Sequence, residues 1–212
     1  IFLVSMLFVP PSMPLMIPEA FAIPDQGDFI LQYGPADGYT EFESWIKSTQ
    51  YFETQVAWLN EKLRLPNDVI VIVGVCGMVN AYYQYNPDVN KSFIVYCYEF
   101  MDDNWMKMDF LRLHGHEFAP DVFCNPAESY CATTAERTLN VIDSVFYHEL
   151  GHAVIHLYDL PVPGAEEDIA DTLSSYILLE FSDGNTGNDA IRDAAWNWML
   201  GHQEDHLQQT YF

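Results

Sequence analysis

His148-Glu149-Leu150-Gly151-His152 places two imidazoles one helical turn apart, with a carboxylate directly after the first. Residues i and i+4 share a helix face, so both side chains can reach one metal ion. Two neutral imidazoles and a carboxylate brought from elsewhere make a zinc site whose fourth position stays open for water, and Glu149 would stand beside that water as its base. Five residues are a weak signal in a chain with 7 His and 31 Asp and Glu, so the flanks have to decide. Thr138 to Tyr147 leads in and Ala153 to Tyr158 leads out without a proline, and apolar residues recur every three or four positions. The pattern predicts a long, partly buried helix around the motif.

Beyond it, Asp159-Leu160-Pro161-Val162-Pro163-Gly164 cannot continue a helix, because both prolines lack the donor and Gly164 favours a turn. The chain must reverse there. A second helix opens with Ala165-Glu166-Glu167-Asp168-Ile169-Ala170-Asp171, whose early carboxylates suit the positive end of a helix dipole. Its apolar stripe is Ile169, Ala170, Leu173, Tyr176 and Ile177. Glu167, Asp171 and Ser174 run along one edge, Glu166 falls near the middle of the stripe, and Asp168 faces away. The edge that looks back across the turn is where a third ligand would come from, which favours Glu167.

These residues resemble a known family. Phe146 to Ala153, Leu160-Pro161-Val162, Gly164, Glu166-Glu167-Asp168 and Ala170-Asp171 look like a family of zinc metallopeptidases of undefined substrate, and are similar, more distantly, to the thermolysin-like gluzincins. The gluzincin resemblance implies His148, His152 and Glu167 as ligands of Zn²⁺, with Asp171 supporting a zinc-bound His. The connection from His152 to Glu167 is shorter than in thermolysin-like enzymes, so Glu166 stays open as an alternative ligand. The resemblance extends upstream through Cys76 to Tyr83 and Tyr96 to Glu99. It implies that Asn80, Ala81 and Tyr82 belong to an edge strand along which a substrate backbone is laid; a plain sheet strand with a Tyr-rich face is the competing reading. Gluzincins also carry a distant His or Tyr that hydrogen-bonds the oxyanion. Tyr158, His156 and His206 compete for that role, His206 within a tail that weakly resembles the same family.

Composition sets the remaining bounds. A chain of 212 residues, 50% apolar and 15% aromatic, can bury a sizeable core. Its net charge of −23 argues against nucleic acid or an anionic membrane surface as partner. Ile1 to Val9 is apolar, and Glu19-Ala20-Phe21-Ala22 ends in an Ala-x-Ala pattern. Residues 1–22 therefore read as a signal peptide, incomplete at its start and cleaved after Ala22, with a retained anchor as the alternative and the only route to a membrane. Residues 23–212 read as one catalytic domain, truncated at its C-terminus and monomeric. Four Cys agree with export, and Cys76–Cys97 with Cys124–Cys131 is the simplest of the three pairings.

Along the chain the expected elements are a strand at Asp28–Tyr33, one long helix from about Thr40 to Pro66, and a buried strand at Val69–Val73. Ala81–Tyr83 and Phe93–Tyr96 follow as neighbours across a turn near Asn86-Pro87, then a helix from Glu99 to Leu113, a polar stretch His114 to Glu117, and a last helix from Asp189 to about Gly201. The fold expected is α+β and zincin-like: a small sheet with an edge strand over the active-site helix, then a mainly helical C-terminal part. The expected activity is zinc-dependent hydrolysis of peptide bonds in a peptide or protein substrate, in a secreted or extracytoplasmic setting. A secreted zinc-binding module without activity and a zinc amidase acting on a non-peptide substrate are the alternatives.

Overall fold

The computed structural model describes residues 25–120, 122–123, 131–182 and 186–210, with side chains as far as residue 201. The expected leader, Cys124 and the side chain of His206 lie outside the described residues. Four strands, β1 (Phe29–Tyr33), β2 (Val69–Gly74), β3 (Ala81–Asn86) and β4 (Lys91–Cys97), form one mixed sheet in the order β1-β2-β4-β3. β1, β2 and β4 run parallel, with Val71 opposite Leu31 on one side and Ile94 on the other. β3 returns antiparallel to β4, with Ala81 opposite Tyr96, and forms one edge of the sheet. The continuous Val-Ile run of β2 suits an interior parallel strand buried on both faces.

The crossover from β1 to β2 is helical. One helix was expected there, but the chain forms two, α1 (Thr40–Thr49) and α2 (Tyr51–Lys62), broken at Gln50, whose φ of 53° is left-handed. The break lets Ile46 and Phe52 both enter the core. After the sheet come α3 (Tyr98–Phe118), α4 (Thr134–Leu157), α5 (Glu166–Phe181) and α6 (Thr186–Thr210), so the architecture is α+β with a mainly helical C-terminal part. α3 runs through His114 to Glu117 instead of ending at Leu113. Gly115 sits inside the helix because Phe123 packs there: a Cβ on it would lie 2.5 Å from Phe123 Cγ.

The 24-residue α4 carries the motif and packs against the sheet. Its start is fixed by a capping box, in which Thr133 Oγ1 accepts from Glu136 N at 3.2 Å and Glu136 Oε2 accepts from Thr133 N at 2.7 Å. Phe52, Tyr96 and Phe146 meet in the core between α2, β4 and α4, and the buried Tyr96 hydroxyl donates to Ile142 O at 2.9 Å. α6 is tied to α4 by a buried ion pair, Arg137 Nη1 to Asp193 Oδ1 at 2.6 Å. Cys76 and Cys97 form the expected disulfide, holding the loop after β2 to the end of β4. No helix among the described residues is long and apolar enough to cross a membrane.

Candidate metal centre

α4 ends where Asp159 adopts a left-handed φ of 48°, and the chain turns through Pro161 to Gly164 into α5. The two helices then pack closely at one point. A Cβ on Gly151 would lie 2.8 Å from Ala170 Cα and 3.0 Å from its Cβ, so the glycine of the motif is a matter of space. Ser174 Oγ donates to Ser144 O at 2.7 Å one turn further along the same contact. This approach brings the first turn of α5 to the two histidines.

His148 Nδ1 is 2.7 Å from Asp171 Oδ1, and His152 Nδ1 is 2.7 Å from Glu166 Oε1. A carboxylate can only accept, so each ring carries a proton on Nδ1 and, in its neutral form, presents a lone pair on Nε2. The two Nε2 atoms face each other at 3.2 Å, and Glu167 Oε2 lies 3.1 Å from that of His148 and 3.4 Å from that of His152. Three electron-rich atoms converging at such distances repel one another unless a cation lies among them. A tetrahedral ion with bonds of about 2.0–2.1 Å separates its ligands by about 3.3–3.4 Å, close to this triangle. The residues present therefore fit a zinc-sized ion. Among the described residues the other cluster of potential donors is Cys76, Cys97 and Glu99, and the disulfide removes both of its sulfurs.

Glu149 borders the same cleft as His148. Its carboxylate is nearly buried, and Oε2 accepts from Tyr83 N at 2.7 Å. Burial pushes its pKa up, and the neighbouring His148 and the Tyr83 N–H only partly offset that. The bond also fixes the parity of the edge strand. Asn80 O accepts from Cys97 N at 3.2 Å, so residues 80, 82 and 84 turn their backbone groups to β4, and 81, 83 and 85 turn theirs outward. Of the three expected substrate-binding residues, Ala81 alone turns its backbone groups away from β4. Asn80 and Ala81 border a cleft of about 660 Å³ shared with His148, Glu149 and Asp171, and Tyr82 does not border it.

Two of the three oxyanion candidates have other neighbours among the described residues. Tyr158 donates its hydroxyl to Arg64 O at 2.8 Å, and His156 lies against Tyr85, their rings 4.3 Å apart. Three parts of the site were not anticipated from sequence: Glu166 as the partner of His152, the Tyr83 amide as the anchor of Glu149, and Gly151 as the contact point of α4 and α5. The third had a signal, since a glycine inside a strong helical pattern points to close packing.

No curated protein and no solved structure matches the chain significantly. A family model, DUF4344, described as "Putative metallopeptidase", matches residues 34–212. That span contains β2, β3 and β4, the donor triangle and the cleft, and on it the chain belongs to this metallopeptidase family.

Proposed function

We propose that the protein hydrolyses peptide bonds with a Zn²⁺ ion held by His148, His152 and Glu167. The observation that carries the reading is the convergence of two Nε2 lone pairs and a carboxylate oxygen at 3.1–3.4 Å. Zinc bound there would supply Lewis acidity to water and to the scissile carbonyl. Asp171 and Glu166 hold the imidazoles in the required tautomer and orientation. An extended substrate would pair with the outward backbone groups of Ala81 on β3. Glu149, held by Tyr83 N–H, takes the proton from the attacking water and returns it to the leaving nitrogen as the C–N bond breaks. The oxyanion contact is assigned to His206, since Tyr158 donates its hydroxyl to Arg64 O.

We also place the protein outside the cytoplasm, as a single monomeric unit over residues 23–212 released by cleavage after Ala22. The Cys76–Cys97 disulfide supports that setting.

Glu149→Gln tests the mechanism. The variant should bind one zinc per chain, as the wild type does, and cleave a peptide library at least about a hundredfold more slowly. No zinc in either protein, or full activity in the variant, would refute it.

A further inference from the structure

The cleft beside the donor triangle has a polar corner that the hydrolytic reading does not use. Its walls include Val79, Phe100, Val145 and Trp198, and along α4 it runs from His148 back to Val141, about 10 Å of helix axis. It is long enough for a side chain as well as the residue that carries it. Within these walls stand Asp103 and Lys107 of α3 and Asn197 of α6.

Lys107 is the one cation bordering the cleft among the described residues, in a chain with only 8 Lys and Arg. Its ammonium donates to Asp103 Oδ2 at 2.6 Å, and the two side chains are only 14% and 20% exposed. Lys107 Nζ would lie 3.6 Å from a Cβ placed on Gly201, so it reaches across to α6, where Asn197 sits one turn earlier. Asn197 is 8% exposed, and its buried Oδ1 has no hydrogen-bond partner among the described residues. The second oxygen of Asp103 has no partner among the described residues either.

The corner therefore offers spare donors on Lys107 and spare acceptors on Asp103 and Asn197, with no net charge on the ion pair. A carboxylate would set its oxygens against two acceptors. A guanidinium or ammonium would meet Lys107 with nothing to accept from it. An apolar end would leave the group unpaired and stripped of water. A primary carboxamide is the complement: its carbonyl accepts from Lys107, and its two N–H groups donate to Asp103 and Asn197.

Building on the peptidase reading, we propose that this cleft selects substrates carrying a glutamine or asparagine side chain next to the scissile bond, with Lys107, Asp103 and Asn197 as the residues that determine that preference.

The test uses the zinc-loaded full chain and one quenched peptide series, identical except for Gln, Asn, Glu, Met or Lys at each position flanking the cleaved bond. At one of these positions Gln or Asn should exceed Glu, Met and Lys in kcat/KM by about tenfold or more, as expected where a buried polar group is left unpaired by the wrong side chain. In Lys107→Met, and independently in Asn197→Leu, the ratio of the carboxamide peptide to its Met counterpart should fall to near one. In Lys62→Met, on the surface of α2, it should persist. A wild type without carboxamide preference, or a preference that survives both cleft variants, overturns the proposal. Failure of the wild type to cleave any peptide would overturn the hydrolytic reading instead. The cleft is then decided by binding of the same peptides to Glu149→Gln, followed by fluorescence anisotropy. A carboxamide peptide held about tenfold more tightly than its Met counterpart supports the proposal, and equal binding overturns it.

Discussion

Replacing Gly151 by Ala separates the two roles of the α4–α5 contact. In a helix interior this change would normally stabilise, by about 1 kcal/mol at most. Here the new Cβ would lie 2.8 Å from Ala170 Cα, where ordinary contact starts at 3.4 Å, so α5 must retreat by about 0.6 Å. Overpacking of this kind costs about 1–3 kcal/mol, so the net effect is a loss of stability. The retreat also carries Glu166, Glu167 and Asp171 away from the histidines. Metal–ligand distances tolerate only about 0.2 Å, so zinc affinity should fall at least about tenfold, beyond what destabilisation of the metal-free chain explains. Competition for zinc against a chromophoric chelator gives the affinity, and urea unfolding of the metal-free protein gives the stability. A variant that is as stable as the wild type and binds zinc within twofold of it would show that the helices are not in the contact described.

Other perturbations give independent readings. Asp171→Ala and Glu166→Ala, which release Nδ1 of His148 and His152, should each weaken zinc by about 10–100-fold in the same chelator assay, and Asp168→Ala should leave it unchanged. Asp143 is half-buried beside Tyr51 and Gln55, and desolvation, only partly offset by the Tyr51 hydroxyl, pushes its carboxyl from 3.8 up to about 6. The folded chain thus holds this proton more tightly than the unfolded one, and stability falls as pH rises from about 4 through 6, by about 3 kcal/mol at most. Asp143→Asn keeps an oxygen for both neighbours. It should therefore be more stable than the wild type at pH 7.5 and equal to it near pH 4 in urea titrations. Breaking the Cys76–Cys97 bond, which closes a loop with a sequence separation of 21, should cost about 3 kcal/mol, read as a lower urea midpoint for the double Ser variant.

The features legible in the sequence were those that leave a period or a residue type behind. The apolar recurrence around His148 marks α4, and the Val-Ile run marks β2. The edge position of Glu167 and Asp171 on α5 put both beside the histidines, as the structure has them. Glu166 was harder to read, because the helical wheel set it in the apolar stripe. The first turn of α5 stands out from the core, so the carboxylate is free to turn to His152. The break at Gln50 has no Gly or Pro to announce it; it is held by the need to bury Ile46 and Phe52 together. The Tyr83 amide was invisible for a different reason. A backbone donor has no residue signature, and which N–H groups of an edge strand face outward depends on pairing register.

The bond from Tyr83 to Glu149 joins residues 66 apart in the chain, whereas every ion-holding group lies between His148 and Asp171. Contacts at short sequence separation form early, and those that wait for a sheet form late. During folding, the α4–α5 hairpin can thus gather its donors before β3 has joined β4. A chain stalled at that stage would capture an ion while Glu149, the proposed base, still hung free of the strand proposed to receive the substrate. On the proposed mechanism, loading and competence are two separate events in the maturation of one site, and a protein full of metal would not yet be a protein able to cut.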